Sequence, residues 1–251
     1  MSTKRYALLD GLRGLTLISM IAYHTAWDMA YLFDTKGNWA WFESDGAYIW
    51  QQSICWSFIL LSGFCWSFGK RKWKRGLLVL AAGCVTSIVT LLVMPDDRII
   101  FGVLTFLGSA MLLMIPLDKI LCKCKPAVGL VISLVLFFMT KNVNDGELGF
   151  EGIHLLDLPD GLYHGWLATY LGFTERGFFS SDYFSLLPWL FLFLAGCFLY
   201  GVFRKRNWFG ILEKGKCKPL KVLGKHSLLI YLLHQPLVYG VLWVVTRACG
   251  L

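Results

Sequence analysis

The chain has 251 residues, of which 57% are hydrophobic and only 16% charged, with a mean hydropathy of +0.59 and a formal net charge of +8. A soluble domain carries roughly a quarter of its residues as charges. A chain of this length cannot hide so much apolar surface in its own core, so lipid must be its second solvent, and soluble globular classes are excluded. The positive charge then reads as membrane topology and attraction to anionic lipid, and no nucleic-acid partner is expected.

Taken in chain order, the first apolar stretch covers about residues 7–33. It contains Asp10 and Arg13 and has no small-residue cleavage pattern behind it, so it is expected to be a retained span rather than a secretory signal. Uncharged runs follow at 47–69, 76–95, 99–117, 126–140, 183–203 and 226–246. A hydrocarbon core about 30 Å thick needs roughly 20 helical residues; the run at 126–140 is the short one. The runs are continuous in polarity rather than alternating, which favours helices over a barrel. The expectation is one all-α polytopic bundle over residues 1–251, with about seven transmembrane helices. Residues 141–182 form a long outer loop, in which the aromatic stretch GLYHGWLATYLGF at 161–173 lies on the membrane surface or dips back into the bundle.

Seven spans with a cytoplasmic N-terminus place eighteen Lys and Arg on the cytoplasmic side and five outside. That asymmetry follows the positive-inside rule. It points to a cell membrane as the multi-pass location. The cluster Lys70, Arg71, Lys72, Lys74 and Arg75 sits where a phosphorylated cytosolic ligand would dock, although the same charges also serve topology alone. Cys55, Cys65, Cys84 and Cys197 fall within spans and read as small apolar packers, while Cys122, Cys124 and Cys217 face the reducing side. No disulfide framework and no metal site are expected.

The first span carries the strongest chemical signal. Ionisable groups inside a membrane helix are costly and face a bundle interior or wet cavity. At about 100° per residue, Asp10, Arg13, His24 and Asp28 fall within a sector of about 60°, so one face of this helix is a polar stripe. Asp10 and Arg13 pair at i, i+3 toward the cytoplasm. His24 and Asp28 pair at i, i+4 toward the outside. An Asp beside a His fixes its tautomer and supports the imidazolium that forms when the His accepts a proton. Arg13 also suits a snorkelling anchor, and the His24–Asp28 pair also suits a buried structural hydrogen bond. Further along, His234 in the HQP string of the last span is intramembrane and precedes Pro236, which frees a backbone carbonyl. Asp182 and Tyr183 stand at the outer start of the sixth run as candidate acceptor contacts. His226, His154 and His164 read as interfacial or loop histidines.

Arg13 and His24 have ten residues between them, and this spacing in a first membrane helix resembles the integral-membrane acyltransferase superfamily. The string LLDGLRGLTLISMIAYHTAWDM resembles its heparan-α-glucosaminide N-acetyltransferase branch, as do RIIFGVLTFLG at 98–108, GFFSSDYFSLLPWLFLFLAGCFLYG at 177–201 and LGKHSLLIYLLHQPLVYG at 223–240. The resemblance departs at Thr105, where bacterial relatives often carry His. It implies an acyl-CoA-dependent O- or N-acyltransferase that moves an acyl group, usually acetyl from cytosolic acetyl-CoA, to a hydroxyl or amine across the membrane. The acceptor it implies is typically a carbohydrate. On that reading His24 is the base, Asp28 orients it, and Arg13 serves the CoA side or developing charge. Asp10, Arg71, Lys72 and Arg75 face the cofactor, and Asp182, Tyr183 and His234 face the acceptor. Membrane lipid is a partner, and self-association into a homo-oligomer is compatible with the reading. From the residues alone, a proton-coupled small-solute transporter also accommodates an intramembrane Asp, Arg and His.

Overall fold

The computed structural model describes residues 6–33, 39–214 and 217–249. Lys4, Arg5, Lys36 and Lys216, which contribute to the charge asymmetry, lie outside the described residues. Among the described residues the long helices are α1 (Ala7–Tyr31), α2 (Asp45–Trp66), α3 (Lys72–Val93), α4 (Val103–Leu121) and α5 (Pro126–Met139). They continue through a hairpin of β1 (Glu147–Phe150) and β2 (Ile153–Asp157), a short α6 (Trp166–Leu171), α7 (Trp189–Arg206), α8 (Phe209–Leu212), α9 (Lys218–Lys225) and α10 (Ser227–Cys249). The fold is therefore mostly helical, with a small antiparallel sheet between α5 and α6 that the apolar pattern did not announce.

By length and composition three helices can cross a membrane, Lys72–Val93, Val103–Leu121 and Ser227–Ala248, and Pro126–Met139 is apolar but shorter. The 25 residues of α1 and the 18 of α7 have the length but carry charges, the stripe in α1 and Arg204–Arg206 at the end of α7. On α3, Leu78, Val85 and Leu92 are 62%, 57% and 79% exposed. Water penalises such a face and hydrocarbon accepts it.

The chain divides into two compact units, and the division falls within α2. One unit ends at Phe58 and resumes at Asn207. Its core is Leu17, Met20 and Ile54, surrounded by Ile21, Tyr23, Trp50, Phe58, Ile230 and Tyr231. Trp50 Nε1 donates to Ser19 Oγ at 2.8 Å, tying α2 to α1. Against the other side of α1 lies α9. Glycines on both helices allow the backbones to touch: a Cβ at Gly14 would overlap the Leu220 carbonyl, and one at Gly224 would overlap the Asp10 carbonyl. Close packing through small residues is how helices associate where lipid removes the hydrophobic drive.

The second unit is Ile59–Arg206. Here α3 packs along α4, and α7 packs along α5. Two of the sequence motifs are joined at the head of α4. Ser181 N–H donates to the Arg98 carbonyl, Ile100 N–H to Ser180 Oγ, and Phe184 N–H to the Phe101 carbonyl. Leu186 and Leu187 donate their N–H groups to Tyr170 and Leu171. Residues 183–187 thus spend their backbone on neighbours and do not open the sixth run as a helix, and α7 begins at Trp189 rather than at 183. The segment between α5 and α7 is a built structure. Asn144 Nδ2 donates to the Gly172 carbonyl at 2.8 Å and to Ser185 Oγ at 3.0 Å. Within GLYHGWLATYLGF, Thr169 is buried while Trp166 and Leu167 are exposed.

Candidate active site

The polar stripe of α1 resolves into two ends. Arg13 Nη1 lies 3.7 Å from Asp10 Oδ1, both partly buried. Near the other end Asp28 is fully buried, and its Oδ1 accepts from Gln235 Nε2 at 2.8 Å. One turn earlier, the His24 ring centre lies 5.0 Å from that of His234, with the planes tilted 58°. Two α1 positions spaced i, i+4 therefore face two consecutive positions of α10. Asp28 is expected from the sequence to orient His24; the bond recorded at its Oδ1 comes from Gln235. Gln235 does not figure among the sequence candidates. The signal for it is an uncompensated amide inside an apolar run, which in hydrocarbon seeks a buried partner.

The geometry at His234 fixes its protonation pattern. Its Nδ1 lies 2.6 Å from the Tyr231 carbonyl. A carbonyl oxygen only accepts, so Nδ1 carries the hydrogen and Nε2 presents a lone pair. His234 is 7% exposed, and neither its Nε2 nor Gln235 Oε1 has a hydrogen-bond partner among the described residues. The Tyr23 ring stands edge-on to His24, with centres 6.0 Å apart, and also meets Trp50.

The basic residues separate. Lys72 Nζ lies 3.5 Å from Asp118 Oδ2 and 3.5 Å above the Trp66 ring. It lines a cavity of about 540 Å³ in the Ile59–Arg206 unit, together with Arg204, Lys205, Tyr200 and Cys197. Arg71 precedes α3 as its N-cap residue, and Arg75 Nη1 points at the Cys65 carbonyl at 3.5 Å; neither lines that cavity. Asp182 and Tyr183 act on the fold. Asp182 Oδ2 accepts the Val103 N–H at 3.2 Å, satisfying a free amide at the start of α4. Tyr183 Oη donates to the Thr169 carbonyl at 2.5 Å and accepts from Thr174 Oγ1.

On the hairpin, His154 Nε2 lies 2.9 Å from Asp157 Oδ1 and 3.7 Å from Glu147 Oε2. The register shift between Leu148 and Gly149 pairs Gly149 with His154 and turns that ring toward both carboxylates. The hydrogen bond to Asp157, followed by the Asp157 and Glu147 charges, raises the His154 pKa above its ordinary value. These three side chains bring their donor atoms within 4.8 Å of one another. His164 and His226 are exposed and belong to neither cluster.

A family model for the heparan-alpha-glucosaminide N-acetyltransferase catalytic domain matches residues 5–236. No curated protein and no solved structure matches the chain. The match takes in the α1 stripe, the basic residues Arg71, Lys72 and Arg75 at the start of α3, the interlocked loops at the head of α4 and the HQP string of α10. With its apolar helices, the chain is a membrane protein, and it belongs to the heparan-alpha-glucosaminide N-acetyltransferase catalytic family.

Proposed function

We propose that the protein is an integral-membrane acyltransferase. It takes an acyl group, acetyl in the first instance, from cytosolic acyl-CoA and places it on a hydroxyl or amine of a carbohydrate on or across the membrane. The observation that carries this reading is the His24–His234 pair, two imidazoles 5.0 Å apart in the contact between α1 and α10, one turn from the Asp28–Gln235 hydrogen bond, in a chain of an acetyltransferase family. As the acceptor oxygen or nitrogen attacks the thioester carbon, its proton passes to His24. The carbon–sulfur bond breaks with its electron pair on sulfur, and the imidazolium returns the proton to the thiolate. Asp28 works through Gln235, holding the α10 turn that faces His24. Arg13, about 16 Å from His24 along the axis at 1.5 Å per residue, serves the CoA side together with Asp10. The phosphates dock among Lys72, Arg204 and Lys205, whose cavity supplies cations beside aromatic surface. Arg71 and Arg75 add to the field at its margin.

Seven spans with a cytoplasmic N-terminus complete the proposal, supported by the eighteen-to-five charge split. Two experiments test it. Cysteines substituted at Lys72 and Lys221 should label from the cytoplasmic side, and one at Asp157 from outside. Protein in lipid nanodiscs, given acetyl-CoA and glucosamine, should release CoA and form an acetylated sugar. Solute counterflow without any acyl-CoA consumption would replace this reading with a proton-coupled transporter.

A further inference from the structure

His234 stands out because its helix has already decided its tautomer. The Nδ1 hydrogen is engaged by the Tyr231 carbonyl, so the only remaining polar atom is an acceptor. That acceptor, Nε2, is buried and has no hydrogen bond among the described residues. Leaving a buried acceptor in this state is costly. A packing residue would not need it, since an apolar side chain of similar shape would serve at lower cost.

The ring beside it is His24. An imidazole nitrogen lies about 1.1 Å from its ring centre, and an N–H bond to nitrogen spans about 2.9 Å, so two directly hydrogen-bonded imidazoles have centres about 5 Å apart. The observed separation is 5.0 Å, and what is missing is alignment, because the planes are tilted by 58°. Catalytic hydrogen bonds are often misaligned before substrate binds and close in the complex. Tyr23 from α1 stands edge-on to His24, and Tyr231 from α10 lies against His234. Asp28 holds the neighbouring Gln235, which fixes the turn of α10 that presents Nε2.

We propose that His234 is the positioning residue for His24: its Nε2 accepts a hydrogen bond from one His24 nitrogen and so commits the other nitrogen to the acyl acceptor. The same bond shares the positive charge that His24 acquires when it takes the acceptor's proton. This is the part usually played by a carboxylate beside a catalytic histidine, and here a second imidazole of fixed tautomer plays it. The inference rests on the acyl-transfer reading above.

The test compares two replacements with the wild type in nanodiscs, using acetyl-CoA and glucosamine. His234→Phe keeps the ring and removes the acceptor; His234→Gln keeps an acceptor oxygen. The expected result is a fall in kcat of about 10- to 100-fold for His234→Phe, with KM for acetyl-CoA unchanged, and recovery of most of that loss in His234→Gln. Equal losses in the two variants, or no loss in either, would overturn the proposal. Independently of any variant, 15N spectra of histidine-labelled wild-type protein in lipid should show His234 protonated at Nδ1 and bare at Nε2. A protonated Nε2 would overturn the assignment even if both variants failed to fold. Absence of acyl transfer by the wild type would instead remove the functional reading while leaving the tautomer measurement intact.

Discussion

The Asp28–Gln235 contact offers a quantitative test of the α1–α10 junction. The two residues are 207 positions apart in sequence, so their hydrogen bond of 2.8 Å exists only in the folded chain. Asp28 is wholly buried and has further interactions besides this one, so its removal alone overstates the bond. A double-mutant cycle isolates it. Asp28→Ala leaves the Gln235 amide buried with no acceptor at Oδ1, Gln235→Ala leaves Asp28 Oδ1 without its donor, and each strands a group whose desolvation costs about 1–3 kcal/mol. The double variant strands neither, so its loss of stability should fall short of the summed single losses by about 1–3 kcal/mol. The measurement is reversible unfolding in mixed detergent micelles, followed by fluorescence. Additivity to within about 0.5 kcal/mol, the level shown by independent sites, would refute the claim that this bond couples the two helices.

Three further outcomes follow from named contacts. Gly14→Ala places a Cβ on the Leu220 carbonyl and should destabilise the protein by about 1–3 kcal/mol. Gly11→Ala, where nothing described lies within 4 Å of the added carbon, should be neutral or stabilising by up to about 1 kcal/mol; thermal midpoints of the pair decide it. Replacing Lys72, Arg204 and Lys205 together by Ala should weaken acetyl-CoA binding and flatten its dependence on salt. The same treatment of Arg71 and Arg75 should weaken it less, as isothermal titration would show. For His154 the folded pKa is raised, so its stabilisation of the hairpin is fully present below about 6.5 and is lost as pH rises through the folded value. Amide exchange in residues 147–157 should accelerate over that range beyond the ordinary base catalysis seen in His154→Ala.

The stripe on α1 is legible because helical spacing alone puts Asp10, Arg13, His24 and Asp28 on one face. What that face meets is not legible. His234 and Gln235 sit more than two hundred residues downstream, and no local rule says which turn of which helix opposes His24. The HQP string marks His234 as unusual, yet its tautomer depends on a carbonyl at i−3 whose availability is a matter of helix geometry near Pro236. The start of α7 is misplaced by hydropathy because residues 183–187 are uncharged, while Phe184, Leu186 and Leu187 donate their N–H groups to Phe101, Tyr170 and Leu171. Asp182 illustrates the same limit, since a lone acidic residue before an apolar run carries no sign that its carboxylate accepts the Val103 N–H at the head of a distant helix. Among the cations, charge density singles out the cluster at 70–75. Only folding distinguishes Lys72, which enters a cavity, from Arg75, which turns back onto the end of α2.

The central claim is that His24 takes the acceptor's proton, and the most direct measurement is CoA release by purified His24→Ala protein in nanodiscs with acetyl-CoA and glucosamine. Loss of a general base lowers turnover by about 10²–10⁴-fold. The account predicts a fall of that order in kcat, with acetyl-CoA affinity and the thermal midpoint close to wild type. Wild-type turnover in a folded His24→Ala protein would contradict it.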